Sequence, residues 1–139
     1  MNLPAGAEAA EPRDLPVRAL IVDDQAPFRA AARSLIRLLR GWEVVGEVAS
    51  GEEAVAWFTS GASGDAVPDV VLMDINLPGI NGIEATRRIT AAAPGTAVVL
   101  VSTYAEQDLP EDAGRCGATA YVRKDDLTPR LLRALLGGS

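Results

Sequence analysis

The sequence predicts an α/β fold, a doubly wound (βα)5 five-stranded parallel sheet lying between two layers of helices. Two observations carry that expectation. Five short apolar runs alternate along the chain with stretches of helical periodicity. The middle run, Asp69 to Met73, is continuously apolar after its first residue, which suits a central parallel strand covered on both faces. With 139 residues there is room for one domain of ordinary size. A domain of that length buries about two-thirds of its unfolded surface and needs no disulfide or structural metal to fold.

The elements follow in order. Residues 1–16, rich in Ala, Glu and Pro and without apolar periodicity, read as a disordered tail ahead of a domain over 17–137. Val17 to Val22 is a first strand, apolar except at Arg18, and it runs into Asp23-Asp24. Pro27 suits a first helical turn, and Phe28, Ala31, Ala32, Leu35, Ile36 and Leu39 make one apolar helix face that Gly41 closes. Trp42 to Val48 is a second strand. Ser50 can cap a helix from Glu52 to Phe58, with Glu53 completing a capping box. A Gly/Ser/Ala loop over 60–66 leads to the middle strand, and a third helix from Gly82 to Ala93 stops at Pro94-Gly95. Ala97 to Val101 and Thr119 to Val122 supply the last two strands, and Thr128-Pro129 starts a short final helix. The fourth helix is the weak element. Its span, Gln107 to Cys116, holds Pro110 and Gly114, so a short, late-starting or mobile helix is expected there, partly disordered without modification.

Composition excludes several functions. With one cysteine (Cys116) and no histidine, the chain has no intrachain disulfide, no Cys/His zinc site and no histidine-based catalysis. Cys116 reads as a small apolar filler. A net charge of −6 argues against direct nucleic-acid binding or an anionic membrane surface. No apolar run approaches the roughly 20 residues that span a bilayer, and the N-terminus has no basic-then-apolar signal. A cytoplasmic, single-domain protein is expected.

In an open parallel sheet, ligands sit beyond the carboxyl ends of the strands, at the topological switch point. The first strand there ends in Asp23 and Asp24, the third in Asp74, the fourth in Ser102 and Thr103, and the fifth is followed by Arg123 and Lys124. Three clustered carboxylates repel one another unless a cation or protons intervene. An all-oxygen set without His or Cys favours a hard ion, Mg2+ (or Mn2+). A hydroxyl and an ammonium beside it suit an aspartate that accepts a phosphoryl group.

The stretch from Asp74 to Gly82, with Pro78 at +4 and Gly82 at +8, resembles the phosphoacceptor loop of response-regulator receiver domains. The Asp23-Asp24 pair, Ser102 28 residues beyond Asp74, and Lys124 22 residues beyond Ser102 fall in the same pattern, over about Arg18 to Leu136. The resemblance implies a flavodoxin-like strand order 2-1-3-4-5. It also implies phosphorylation of Asp74 by a sensor histidine kinase or histidine phosphotransfer protein. Asp24, Asp74 and the backbone carbonyl of Asn76 would hold Mg2+ directly, with Asp23 acting through water. Lys124 would pair with Asp74 and then with a phosphoryl oxygen, and Ser102 and Tyr121 would be the switch hydroxyl and aromatic. The switching surface would be the fourth helix, fifth strand and fifth helix. That face, or the first and fifth helices, would serve a homodimer. Asn76 and Tyr104 match positions that tune hydrolysis. Lys124-Asp125 and the stretch from Gly117 to Tyr121 are similar to NarL/FixJ-type regulators, which usually carry a C-terminal helix-turn-helix. A stand-alone receiver, or the receiver part of a transcription regulator, is therefore expected.

Each feature has a plainer reading when taken alone. An Asp-Asp pair usually makes a turn or cap, Pro78-Gly79 a turn, and Lys124 a solvated charge. Arg29, Arg33, Arg37 and Arg40 form a basic stripe on the first helix, either a solvated face or, for Arg29, Arg33 and Arg37, a kinase docking surface. Two other classes compete. A Mg2+-dependent aspartyl-phosphate hydrolase of the haloacid-dehalogenase type wants an Asp where Asn76 stands, and a cap domain for which there is no room. A pseudo-receiver that works without phosphorylation usually lacks one of the acidic residues or the lysine, and none is missing here.

Overall fold

The apolar runs become strands that bury alternate residues on opposite faces of one sheet. In the computed structural model, which describes residues 16–60, 67–103 and 109–136, five parallel strands are present. They are β1 (Val17–Val22), β2 (Trp42–Val48), β3 (Val70–Asp74), β4 (Ala97–Ser102) and β5 (Ala120–Arg123), in the order β2-β1-β3-β4-β5. The predicted tail and the Gly/Ser/Ala loop lie largely outside the described residues.

Period-2 alternation divides the core into two layers. Leu20, Val22, Val71, Met73, Val98 and Leu100 face α2 (Gly51–Thr59) and α3 (Gly82–Ala92). Ala19, Ile21, Val70, Leu72, Val99 and Val101 face α1 (Ala26–Arg37) and the final helix α4 (Pro129–Leu136). All five residues of β3 are buried. Each large aliphatic side chain so buried contributes about 1.5–3 kcal/mol relative to exposure. Arg18, the one charge in β1, is matched by Asp69, whose carboxylate accepts from its backbone N–H at 2.9 Å and its Nε at 3.3 Å.

The helices mostly begin where their caps predict. Ser50 Oγ accepts from Glu53 N–H, while the Glu53 carboxylate reaches the N–H of Ala49, one residue earlier than in the expected capping box. Thr128 Oγ1 caps α4 through Leu131 N–H. Asn81, a cap the sequence reading passed over, accepts from Glu84 N–H at the start of α3. Two expectations for α1 change. Ala31 is exposed, so the buried face runs through Phe28, Ala32, Leu35, Ile36 and Leu39. The helix ends at Arg37, and Gly41, with φ +83°, instead makes the turn into β2.

Where the fourth helix was expected, the described residues form a 3₁₀ turn, Glu111–Arg115, with Pro110 as its N-cap. A proline donates no N–H and disfavours helix in the residue before it, so the turn starts late and stays short. Asp112 and Cys116 tie it to α3, the first by an ion pair with Arg87 at 3.4 Å and the second through its carbonyl and Thr90 Oγ1. A cavity of about 180 Å3 remains beneath it, lined by Leu100, Leu109, Ala113, Ala118 and Tyr121. No helix among the described residues is long and apolar enough to cross a membrane.

Candidate functional site

The chain leaves β1 for β2 on one side and then crosses to β3 on the other. The switch point therefore lies between the carboxyl ends of β1 and β3. Asp23 and Asp24 follow β1 directly, and Asp74 is the last residue of β3. One carboxylate oxygen from each lies within 4.8 Å of the others. Asp23 is fully buried, Asp74 nearly so, and Asp24 is exposed.

Their surroundings are unequal. Asp23 Oδ1 accepts from Gln25 N–H at 2.8 Å. Its Oδ2 takes no aligned hydrogen bond but stands 2.8 Å from Lys124 Nζ. The same ammonium is 4.0 Å from Asp74 Oδ2 and 4.3 Å above the centre of the Phe28 ring. The lysine was expected to pair with Asp74. It sits closer to Asp23, the more deeply buried carboxylate, where an uncompensated charge costs most. Burial, reinforced by the negative charge of Asp23, pushes the Asp74 carboxyl up from 3.8 to about 6; Lys124 opposes that rise.

The donor set fits a hard divalent cation. It is all oxygen, three carboxylates share one small volume, and Asp23 Oδ2 is buried with an ammonium as its sole partner among the described residues. Asp24, Asp74 and the backbone carbonyl of Asn76, an exposed residue two beyond Asp74, are the groups that could hold it.

Backbone geometry holds the loop after Asp74. Gly82 N–H donates to Ile75 O at 2.9 Å, and a Cβ on Gly82 would lie 2.0 Å from the Asp74 carbonyl oxygen. Gly79 has φ +75°, and the Glu52 carboxylate accepts from the neighbouring Ile80 N–H at 3.0 Å. That bond holds the Glu52 carboxyl below its ordinary value. Sequence reading missed Glu52, whose spacing gives no hint that α2 reaches this loop.

The remaining expected residues surround the acids to different degrees. Ser102 is buried as the last residue of β4, one residue beyond the position the sequence reading ended that strand. Tyr121 is half-buried in β5, beside the cavity under the 3₁₀ turn. Tyr104 lies outside the described residues. The arginine stripe is not one surface. Arg29 Nη1 donates to the Asp23 carbonyl at 2.7 Å, and Arg33 pairs with Glu47. Arg37 and Arg40 are exposed.

A parallel sheet with three carboxylates gathered at its switch point defines the doubly wound α/β class with an acidic crevice beyond the strand ends. Comparison with known proteins is specific. The family model of the response regulator receiver domain matches residues 19–136, and the chain belongs to that family. It is 34% identical over 119 residues to the response regulator UvrY of Escherichia coli K12, covering 86% of this chain and 52% of UvrY. It is equally identical to GacA of Pseudomonas viridiflava, over 86% of this chain and 53% of that protein. The receiver domain of NarL from Mycobacterium tuberculosis superposes with a TM-score of 0.76 at 27% identity, covering 88% of this chain and 95% of that one. The chain spans about half the length of the curated relatives it matches.

Proposed function

We propose that this chain is a phosphoacceptor switch in a cytoplasmic two-component pathway, with Asp74 taking a phosphoryl group from a phosphohistidine of a sensor kinase or phosphotransfer protein. The observation that carries the reading is the meeting of three carboxylates within 4.8 Å, with the Lys124 ammonium between Asp23 and Asp74. A pseudo-receiver has no need of that arrangement, because two buried carboxylates, Asp23 and Asp74, that repel each other and share one ammonium are costly without a ligand.

In this reading Asp24, Asp74 and the Asn76 carbonyl would hold Mg2+ (or Mn2+), and Asp23, whose Oδ2 is engaged by Lys124, would act through a water. The ion supplies charge neutralisation for the transferring group. An Asp74 carboxylate oxygen attacks phosphorus, the P–N bond breaks, and the imidazole leaves with the bonding electrons. Lys124 then shifts toward a phosphoryl oxygen and Ser102 donates to another. Phosphorylation adds about −1.5 to −2 charges. Tyr121 follows Ser102 inward, and the 3₁₀ turn, β5 and α4 form the face that changes. That face, or α1 with α4, serves a homodimer, and Arg33 and Arg37 dock the donor.

Intact-mass spectrometry after incubation with acetyl phosphate tests the reading. We expect a Mg2+-dependent gain of one phosphoryl group, absent in Asp74→Asn. No adduct with either acetyl phosphate or beryllofluoride would leave the pseudo-receiver reading in its place. Amide exchange before and after modification tests the switch. Fast exchange across 109–116 is expected in the unmodified chain, and strong protection there would remove the 3₁₀ segment as the bistable element.

A further inference from the structure

We propose that Arg29 and Glu47 form a positioning pair for the acidic loop, fixing the peptide that joins Asp23 to Asp24. The inference rests on the phosphoacceptor reading and moves Arg29 from the docking surface to the interior of the site.

Arg29 lies in the first turns of α1 and turns back toward the end of β1. Its Nη1 donates to the Asp23 carbonyl at 2.7 Å, and its Nε stands 3.7 Å from Glu47 Oε1. Each of the two side chains is only 23% exposed. Glu47 comes from the edge strand β2, next to Val48, whose carbonyl accepts from Asp23 N–H at 3.1 Å. Asp23 is thus held from β2 at its N–H and, through Glu47 and Arg29, at its carbonyl.

That carbonyl belongs to the planar peptide leading into Asp24, so holding it fixes where the Asp24 Cα lies, the atom from which the carboxylate branches. The Asp24 carboxylate has no hydrogen bond or ion pair with any described residue, so its place depends on the backbone that carries it, which Gln25 N–H on Asp23 Oδ1 holds from the other side. A charge-assisted bond from a planar guanidinium orients a carbonyl more firmly than a neutral donor does. Glu47 in turn orients the guanidinium, as an outer partner orients a metal ligand. Arg33 also pairs with Glu47 but does not reach the Asp23 carbonyl, so it separates the two roles.

The test uses the full chain with Arg29→Met, Arg29→Lys, Glu47→Gln, Arg33→Met and the Arg29→Met/Glu47→Gln double variant. Mg2+ affinity is measured by calorimetry, acetyl phosphate modification by intact mass, and folding by thermal melting. Arg29→Met should weaken Mg2+ binding roughly tenfold and slow modification comparably. Arg29→Lys should recover part of the loss, since an ammonium cannot span both acceptors as a planar fork does. Glu47→Gln should weaken Mg2+ binding in the wild-type background and add nothing to Arg29→Met. Arg33→Met should keep Mg2+ affinity within about twofold. Acetyl phosphate needs no protein docking. If Arg29→Met leaves Mg2+ affinity and acetyl phosphate modification at wild-type values, positioning is overturned, and slowed transfer from a phosphohistidine donor alone would make Arg29 a docking residue. A wild-type chain that neither binds Mg2+ nor gains a phosphoryl group would overturn the phosphoacceptor reading, and this inference with it.

Discussion

Replacing Asp74 with asparagine is expected to abolish phosphoryl acceptance and, in the absence of Mg2+, to make the domain more stable at pH 7. The Asp74 carboxyl is held at about 6 in the folded protein by burial and by the charge of Asp23, against an ordinary value of 3.8. The folded state therefore binds that proton more tightly than the unfolded chain, and ionising the group at neutral pH works against folding. The displacement from 3.8 to about 6 corresponds to a ceiling of about 3 kcal/mol, which relaxation and water reduce to ~1–2 kcal/mol. The pH dependence has a definite sign. Below about pH 4 the wild-type carboxyl is protonated in both states, and the variant's advantage from charge removal is absent. The advantage grows between about pH 4 and 6 and is complete above that. Urea denaturation of both proteins across this range, with and without Mg2+, checks it. Mg2+, which in the proposed reading binds the folded wild type, should then narrow the gap at pH 7. Equal stabilities at all pH values without metal would mean that the acidic cluster carries no such strain.

The second large effect is expected at Gly82, where alanine should destabilise the domain by about 3 kcal/mol or more. A Cβ there would lie 2.0 Å from the Asp74 carbonyl oxygen and 2.9 Å from Ile75 Cα. Both are backbone atoms, so relief requires the start of α3 to move away from the end of β3. That motion would also break the Gly82 N–H bond to Ile75 O and displace the Asp74 side chain. A loss of Mg2+-dependent modification should accompany the loss of stability. Gly95→Ala is the matched comparison, because nothing lies within 4 Å of its Cβ position. It should be neutral or slightly stabilising, through the reduced entropy of the unfolded chain. The midpoint of denaturant unfolding for the two variants decides between steric and entropic accounts of Gly82.

Gly82 shows how far the sequence could be read. Its spacing from Asp74 marked it as part of a loop pattern, but the close approach that requires glycine is visible only once α3 has been laid across the end of β3. The strands were legible because burial on both faces leaves a continuous apolar run, as in Val70 to Met73, and burial on alternate faces leaves none of the ambiguity of a surface strand. Strand ends were less so. Ser102 and Arg123 are polar and read as loop, yet backbone pairing between them extends β4 and β5 by a residue. The fourth helix was legible as a defect, since Pro110 acts through its own covalent geometry in any context. Ala31 was misread because helical periodicity assigns a face without saying how wide the covering partner is.

The local chemistry of the chain was enough to determine the doubly wound class, the weak fourth crossover and the polar residues that end each strand, since apolar periodicity, capping side chains and proline geometry act over a few residues. Which of those polar groups meet, and how, was decided by the tertiary structure. Lys124 sits nearer Asp23 than Asp74, Glu52 reaches from α2 to the Ile80 amide, and Arg29 lies between the Glu47 carboxylate and the Asp23 carbonyl. Each of these contacts joins residues brought together by strand order and helix packing. Their strength depends on burial, which no single segment possesses until the sheet has closed around it.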